Sequence, residues 1–246
     1  MEKSYNKGEH AEVITKKMLF AQKTDLVFLT ALFGNDTCEG IEIINPATME
    51  PFLAAEHIIK AKSSSKADLV LWFKQPNVFR YVSIKSLNGA KPALLNHTPR
   101  RAKVFQTELL LELPNLDKIA AEYIQKRTQK IIGEDIAFAK LEISQDQAAR
   151  DSFARMLSYF VFTGTGAKRS PNECDSLLIV QKDNSLLFLD CSTSEKKETY
   201  IKSILDQCVV SFRNKGMANK LNDLCNPWVY KEAANKKPCG SLHVRL

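Results

Sequence analysis

No stretch of this chain approaches the roughly 20 consecutive apolar residues that a membrane-spanning helix needs, and the opening MEKSYNKGEHAEV has no apolar core of the kind a secretory leader carries. These two absences predict a soluble, cytoplasmic chain with no membrane partner. Paired cysteines are missing as well. Cys38, Cys174, Cys191, Cys208, Cys225 and Cys239 stand singly with no C-x-x-C pair, which excludes zinc-finger spacing. They read as reduced thiols, several of them in the core. His10, His57, His97 and His243 are equally scattered, so neither a metal cluster nor a Ser-His-Asp triad is legible. Glycine and proline are sparse, at 9 each in 246 residues, and no repeat, linker or low-complexity segment separates parts of the chain. With 44% apolar and 26% charged residues it has the composition of an ordinary globular protein. A chain this long buries on the order of 70% of its unfolded surface and needs no metal or disulfide staple. Residues 1–246 read as one domain.

Acidic residues are absent from one long segment. Between Leu69 and Thr107 there is none, while Lys74, Arg80, Lys85, Lys91, Arg100, Arg101 and Lys103 all fall there. The formal net charge of +7 is therefore partly local. Such a stretch suits a phosphate backbone, with a basic solvated face as the plainer alternative.

Periodicity gives the elements. Residues 9–23 predict a helix, with Ala11, Ile14, Met18 and Ala21 at helical spacing as its apolar stripe. Residues 25–33 are ambiguous between strand and helix, 41–44 predict a strand and 52–60 another helix. Residues 68–73 and 78–85 are rich in β-branched and aromatic side chains around a KQPN turn, a strong hairpin signal. Trp72 and Phe79 within it read as core rather than as stacking platforms. The following residues, to Arg101, read as loop. Helices are predicted over 102–113, 116–132, 145–161, the last started by a Ser144-x-x-Gln147 capping box, and 196–214. SLLIV and SLLFLD flank a second turn. The fold class expected is mixed α+β, a central mixed sheet flanked by helices.

The first hairpin carries the chemistry. Fourteen residues separate Asp68 from Ser83, and the turn brings these two strand ends side by side. Ser83 and Lys85, two apart, face the same way. An aspartate beside a lysine at a sheet end suits phosphodiester hydrolysis, because the carboxylate can hold a divalent cation while the ammonium orients a water or stabilises developing charge.

Ala67-Asp68, fourteen residues, then Ser83-Ile84-Lys85 resembles the P-D…(D/E)-x-K signature of the restriction-endonuclease-like nucleases. KADLVLWFKQPNVFRYVSIK is similar to the hairpin of small type II restriction enzymes in which a non-acidic residue also precedes x-Lys. Trp228-x-Tyr230, Lys236, Lys237 and a short final strand resemble, less specifically, the tail of such an enzyme. The resemblance implies a site-specific endodeoxyribonuclease that cuts double-stranded DNA at a short palindromic site, with Mg²⁺ as cofactor and Mn²⁺ as substitute. It further implies a restriction-endonuclease-like sheet, DNA-recognition elements in the C-terminal half, and a homodimer, although some small members act as monomers. Asp68 would ligate metal, Lys85 would position the attacking water, and Glu12, on the N-terminal helix in Gly8-x-x-x-Glu12, would add the family's helical carboxylate. Glu9 and Glu56 are the fallbacks. The plainer reading of Glu12 is a solvated glutamate paired with Lys16 at i+4.

Ser83 departs from the pattern, since a hydroxyl is a poorer Mg²⁺ ligand than a carboxylate. It leaves open a catalytically silent DNA-binding module, and a structure-specific or repair nuclease of the same fold is a further alternative. Gly164-Thr165-Gly166-Ala167-Lys168-Arg169-Ser170 does not meet the Walker spacing, so no nucleotide cofactor is expected. Lys168, Arg169 and Ser170 are instead candidate DNA contacts, as are Ser86, Asn88, Lys91, Arg100, Arg101 and Lys103, with a turn or surface loop as the alternative at each loop.

Overall fold

Helix-capping chemistry sets the first element of the computed structural model, which describes residues 6–34, 39–88, 93–97, 140–141, 147–164, 169–213 and 241–245. The Asn6 side chain accepts from the Glu9 amide and the Glu9 carboxylate accepts from the Asn6 amide, both at 3.0 Å, so α1 (Lys7–Ala21) starts on a capping box. Asp25 caps α2 (Leu26–Phe33), resolving the ambiguous segment as helix. Gly40 then turns the chain into β1 (Ile41–Asn45) at φ 85°, where a Cβ would lie 2.8 Å from the Lys23 carbonyl oxygen.

The chain divides into two compact units, Met1–Pro92 with Val161–Tyr200, and Ala93–Phe160 with Ile201–Leu246. The first holds a six-stranded mixed sheet. Besides β1 it contains β2 (Glu50–Pro51), β3 (Leu69–Phe73), β4 (Val78–Ser86), β7 (Ser176–Val180) and β8 (Leu186–Asp190), in the order β2-β1-β3-β4-β7-β8. β4 and β7 pair in parallel, Val82 opposite Ser176, and the other pairs are antiparallel. Helices flank this sheet, the architecture that the hairpin motif implies. Leu19 of α1 and Leu29 of α2 pack into one core with Ile41, Ile43, Leu69, Leu71, Val82, Ile84 and Leu178 of the strands. The hairpin has the expected ends, but Trp72 and Phe79 form a cross-strand stack 5.9 Å apart with Phe79 43% exposed, so this pair is not core. The second unit holds α3 (Gln147–Ser158) and a four-stranded antiparallel sheet, β5 (Ala93–His97), β10 (Ser241–Arg245), β9 (Val209–Arg213) and β6 (Lys140–Leu141) in that order.

Four expectations are corrected. The helix expected over 52–60 is only a 3₁₀ turn at Ala55–His57, where the segment's amides bond to scattered carbonyls. The segment read as loop contains β5, whose partner β10 lies at the far end of the chain and leaves no local signal. Regular helix ends at Ser158 rather than 161 and gives way to a π-helical turn at Tyr159–Thr163. The helix expected over 196–214 is α4 (Ser194–Leu205), followed by β9, because Val209-Val210 with Phe212 suits a strand once a pairing partner is present. The helices expected over 102–113 and 116–132, and Ser144 of the capping box, lie outside the described residues. No helix among the described residues is long and apolar enough to cross a membrane. Cys174, Cys191 and Cys208 are buried and outside any disulfide, as expected.

Helix α1 departs most from its expected pattern. Its buried face is Glu12, Val13, Thr15, Lys16 and Leu19, whereas Ile14 of the expected stripe is 51% exposed. A buried ion pair faces inward alongside Val13 and Leu19.

Candidate active site at the end of the hairpin

The register Leu69 opposite Val82 carries Asp68 to the end of β3 beside Ser83. The Asp68 amide donates to the Val82 carbonyl (2.8 Å), while its carboxylate Oδ2 accepts from the Ile84 amide (2.7 Å) and from Ser83 Oγ (3.1 Å). The serine at the acid position is buried and spends its hydroxyl on orienting the aspartate. Lys85 follows on the same face of β4 and is half-buried.

Glu12 comes to this aspartate from α1. Burial and the nearby Asp68 charge raise its carboxyl above the ordinary range, while Lys16 and the Ala61 amide act in the opposite sense. Its Oε1 accepts from Lys16 Nζ at 2.5 Å and from the Ala61 amide at 2.7 Å. Pairing with Lys16 at i+4 is thus present, but the pair is buried. The fallback acids are placed otherwise. Glu9 pairs with Lys60, which with the Asn6 amide holds its carboxyl below the usual range, and Glu56 is exposed.

Two groups at this centre were not singled out for it from sequence. Lys66 and Cys174 both feel the charges of Asp68 and Lys85, so the four lie within electrostatic reach of one another. Burial, then repulsion by Lys85, pushes the Lys66 ammonium from its usual 10.5 to about 8, and burial pushes the Cys174 thiol from 9.0 to about 12. The only sequence trace of Lys66 is its place two residues before Asp68. A lysine with a depressed folded-state pKa is bound by more protons in the unfolded chain between pH 8 and 10.5, so its contribution to stability rises with pH there. The thiol acts in the opposite sense above pH 9.0, because the folded chain retains that proton longer. Denaturant titrations are therefore expected to show wild type gaining stability relative to Lys66→Met between pH 8 and 9, where the lysine acts alone. A flat difference would mean that Lys66 is not desolvated.

The other candidate contacts divide. Ser86 Oγ accepts from the Asn88 backbone amide, and the Asn88 side chain sits 2.7 Å from the Asn184 side-chain amide on the β7–β8 turn. Arg169 is exposed and paired with Glu173. Ser170 is buried, and its hydroxyl accepts from the Lys66 amide (2.8 Å) and the Asn172 amide (3.1 Å) while lying 3.0 Å from the Ser64 carbonyl. It ties the loop leading into Asp68 to the loop before β7, and its hydroxyl is taken up within the protein. Lys91, Arg100, Arg101, Lys103 and Lys168 lie outside the described residues. A pocket of about 90 Å³ between Phe33, Phe73, Arg80 and Phe188 lies at the turn end of the hairpin, away from Asp68.

Among the described residues no group of three His, Cys, Asp or Glu is arranged to hold a metal ion. The donor set at the hairpin end is two mutually repelling carboxylates. Such a pair fits a hard divalent cation held by one or two carboxylates with water completing its shell.

A mixed α+β fold with an Asp–Lys hairpin end and a helical carboxylate is the class this architecture defines. No protein-family model and no curated protein matches the chain. Among solved structures it is similar to the restriction endonuclease MspI in complex with its cognate DNA, at 10% identity and a TM-score of 0.37, over 92% of this chain and 76% of that one.

Proposed function

We propose that this protein is a divalent-metal-dependent endonuclease that hydrolyses phosphodiester bonds of duplex DNA, of the type II restriction class. The observation that carries this reading is the Asp68 carboxylate held beside Ser83 and Lys85 at one sheet end, with Glu12 of the first helix near enough to feel its charge. Asp68 and Glu12 are the residues that would hold Mg²⁺ or Mn²⁺. When bound, the cation would supply Lewis-acid polarisation of the phosphate and a more acidic water. Ser83 and the Ile84 amide fix the Asp68 carboxylate, so its free oxygen is aimed before any ligand arrives. Lys85 holds the attacking water and offsets charge developing on the phosphate. Arg100, Arg101, Lys103, Lys91 and Lys168 belong to the same proposal as phosphate contacts, within a single nuclease domain whose C-terminal half reads the bases, acting as a homodimer in the cytoplasm without a nucleotide cofactor.

Incubating plasmid with protein and Mg²⁺ tests this: discrete bands support restriction, whereas a smear supports a structure-specific or repair nuclease. One observation favours a silent DNA-binding module, namely that the Ser83 hydroxyl donates to Asp68 where the motif has a second carboxylate. Retardation of duplex DNA with no cutting at any metal concentration would establish it. Within the nuclease reading, Glu12→Gln is expected to fold and to require about tenfold or more Mg²⁺ for half-maximal cleavage, because one of two cation-binding charges is gone. An unchanged metal midpoint would remove Glu12 from the site.

A further inference from the structure

Lys16 is one of the largest fully buried side chains among the described residues, at 1% exposure. Its ammonium touches Glu12 Oε1 at 2.5 Å and the Ile59 carbonyl oxygen at 3.2 Å. A buried ion pair is a poor stabiliser in general, because desolvating two charges costs about as much as their attraction returns, and an apolar side chain of similar volume packs as well. The position on α1 is otherwise one where a leucine or methionine would complete the stripe begun by Val13 and Leu19. What distinguishes this pair is its place. The acid that Lys16 holds is the one whose charge Asp68 opposes. Two carboxylates that repel one another require compensating positive charge, and Lys16 supplies one such charge permanently, from inside the protein, on one oxygen of Glu12. Lys85 and Lys66 add positive charge on the Asp68 side. Two carboxylate charges less the Lys16 ammonium leave one negative charge, which a single divalent cation already more than neutralises, so a second would face net repulsion.

We propose that Lys16 is a fixed cation of the acidic centre, a positioning residue that occupies one oxygen of Glu12 in place of a second divalent ion, so that the centre takes a single Mg²⁺ or Mn²⁺. This rests on the metal-dependent reading of the site. It accounts for why the helix turns a lysine inward at the cost of exposing Ile14, and for why the Glu12 carboxylate is held from two sides, by Lys16 and by the Ala61 amide, rather than left to a cation alone.

Mn²⁺ alone is the probe, titrated into the full chain without DNA at pH 8.5 and followed by the electron paramagnetic resonance of free Mn²⁺ and by calorimetry. Wild type is expected to bind one Mn²⁺ per chain, and two ions of comparable affinity would overturn the proposal without any variant. Lys16→Met, and Lys16→Gln, which retains a donor for Ile59 and Glu12, are expected to bind Mn²⁺ about tenfold more tightly or to admit a second ion, because a repelling charge near the site is removed. Unchanged or weaker Mn²⁺ binding by a folded variant would show Lys16 to be a structural ion pair and overturn the proposal. Absence of Mn²⁺ binding by wild type, or binding that Asp68→Asn leaves untouched, would instead sink the metal-dependent reading on which it stands.

Discussion

Replacing Lys85 with alanine is expected to lower cleavage on the order of 10²–10⁴-fold, the range measured when one donor or acid–base group is removed from a preorganised site, while duplex binding stays within about tenfold. The asymmetry follows from where the ammonium acts on the proposed reading. Charge builds on the phosphate in the transition state, so a lysine aimed at that charge contributes little to ground-state binding and much to rate. Lys85 is half-buried at the end of β4, where water screens it less than on an open surface and where the strand fixes its Cα. Single-turnover cleavage and equilibrium binding with the same duplex check the two halves separately. Near-normal cleavage would remove Lys85 from the chemistry. Equal losses in rate and binding would make it a phosphate clamp instead.

Asp68→Asn is expected to abolish cleavage in Mg²⁺ and to leave the fold intact. Asp68→Ala is expected to abolish cleavage and to destabilise as well. On the proposed reading the carboxylate has two duties that these substitutions separate. As a cation ligand it needs charge, which asparagine lacks. As an acceptor it satisfies the Ile84 amide and the buried Ser83 hydroxyl, which an asparagine carbonyl can still do but alanine cannot. Leaving those donors unpaired costs about 1–3 kcal/mol, which lowers Tm by about 2–12 °C in a protein of this size. Both variants are expected to bind duplex at least as well as wild type when metal is absent, because a carboxylate facing a phosphate without a cation repels it. Thermal denaturation with cleavage assays reads both effects, and a fully active Asp68→Asn would end the metal-ligand assignment.

The serine at position 83 shapes how these results combine. In a site with a second strand carboxylate, loss of Asp68 leaves an acid behind. Here the remaining acid is Glu12, already engaged by Lys16 and Ala61. The effect of Asp68→Asn should therefore be close to complete, and combining it with Glu12→Gln should add little, as expected when two groups serve one cation.

What was legible in the sequence is what local periodicity controls. The alternating strands around KQPN and the SLLIV–SLLFLD hairpin are written in neighbours two to four positions apart, and their elements stand where that spacing places them. The juxtaposition of Asp68 with Ser83 follows as well, since a hairpin's register is set by its turn. Helix α1 shows where this reasoning stops. Ala11, Ile14, Met18 and Ala21 form the apolar stripe by spacing, yet Glu12 and Lys16 face inward, because a buried ion pair looks in sequence like any solvated i+4 pair. Only tertiary structure decides between the two, by bringing Asp68, Ile59 and Ala61 against that face. The same holds for β5, whose hydrogen bonds go to β10 at the other end of the chain, for β9, which pairs with both β10 and β6, and for Ser170, whose hydroxyl is spent on the Lys66 and Asn172 amides. Long-range pairing and desolvation fix these positions, and neither is a property of a residue and its sequence neighbours.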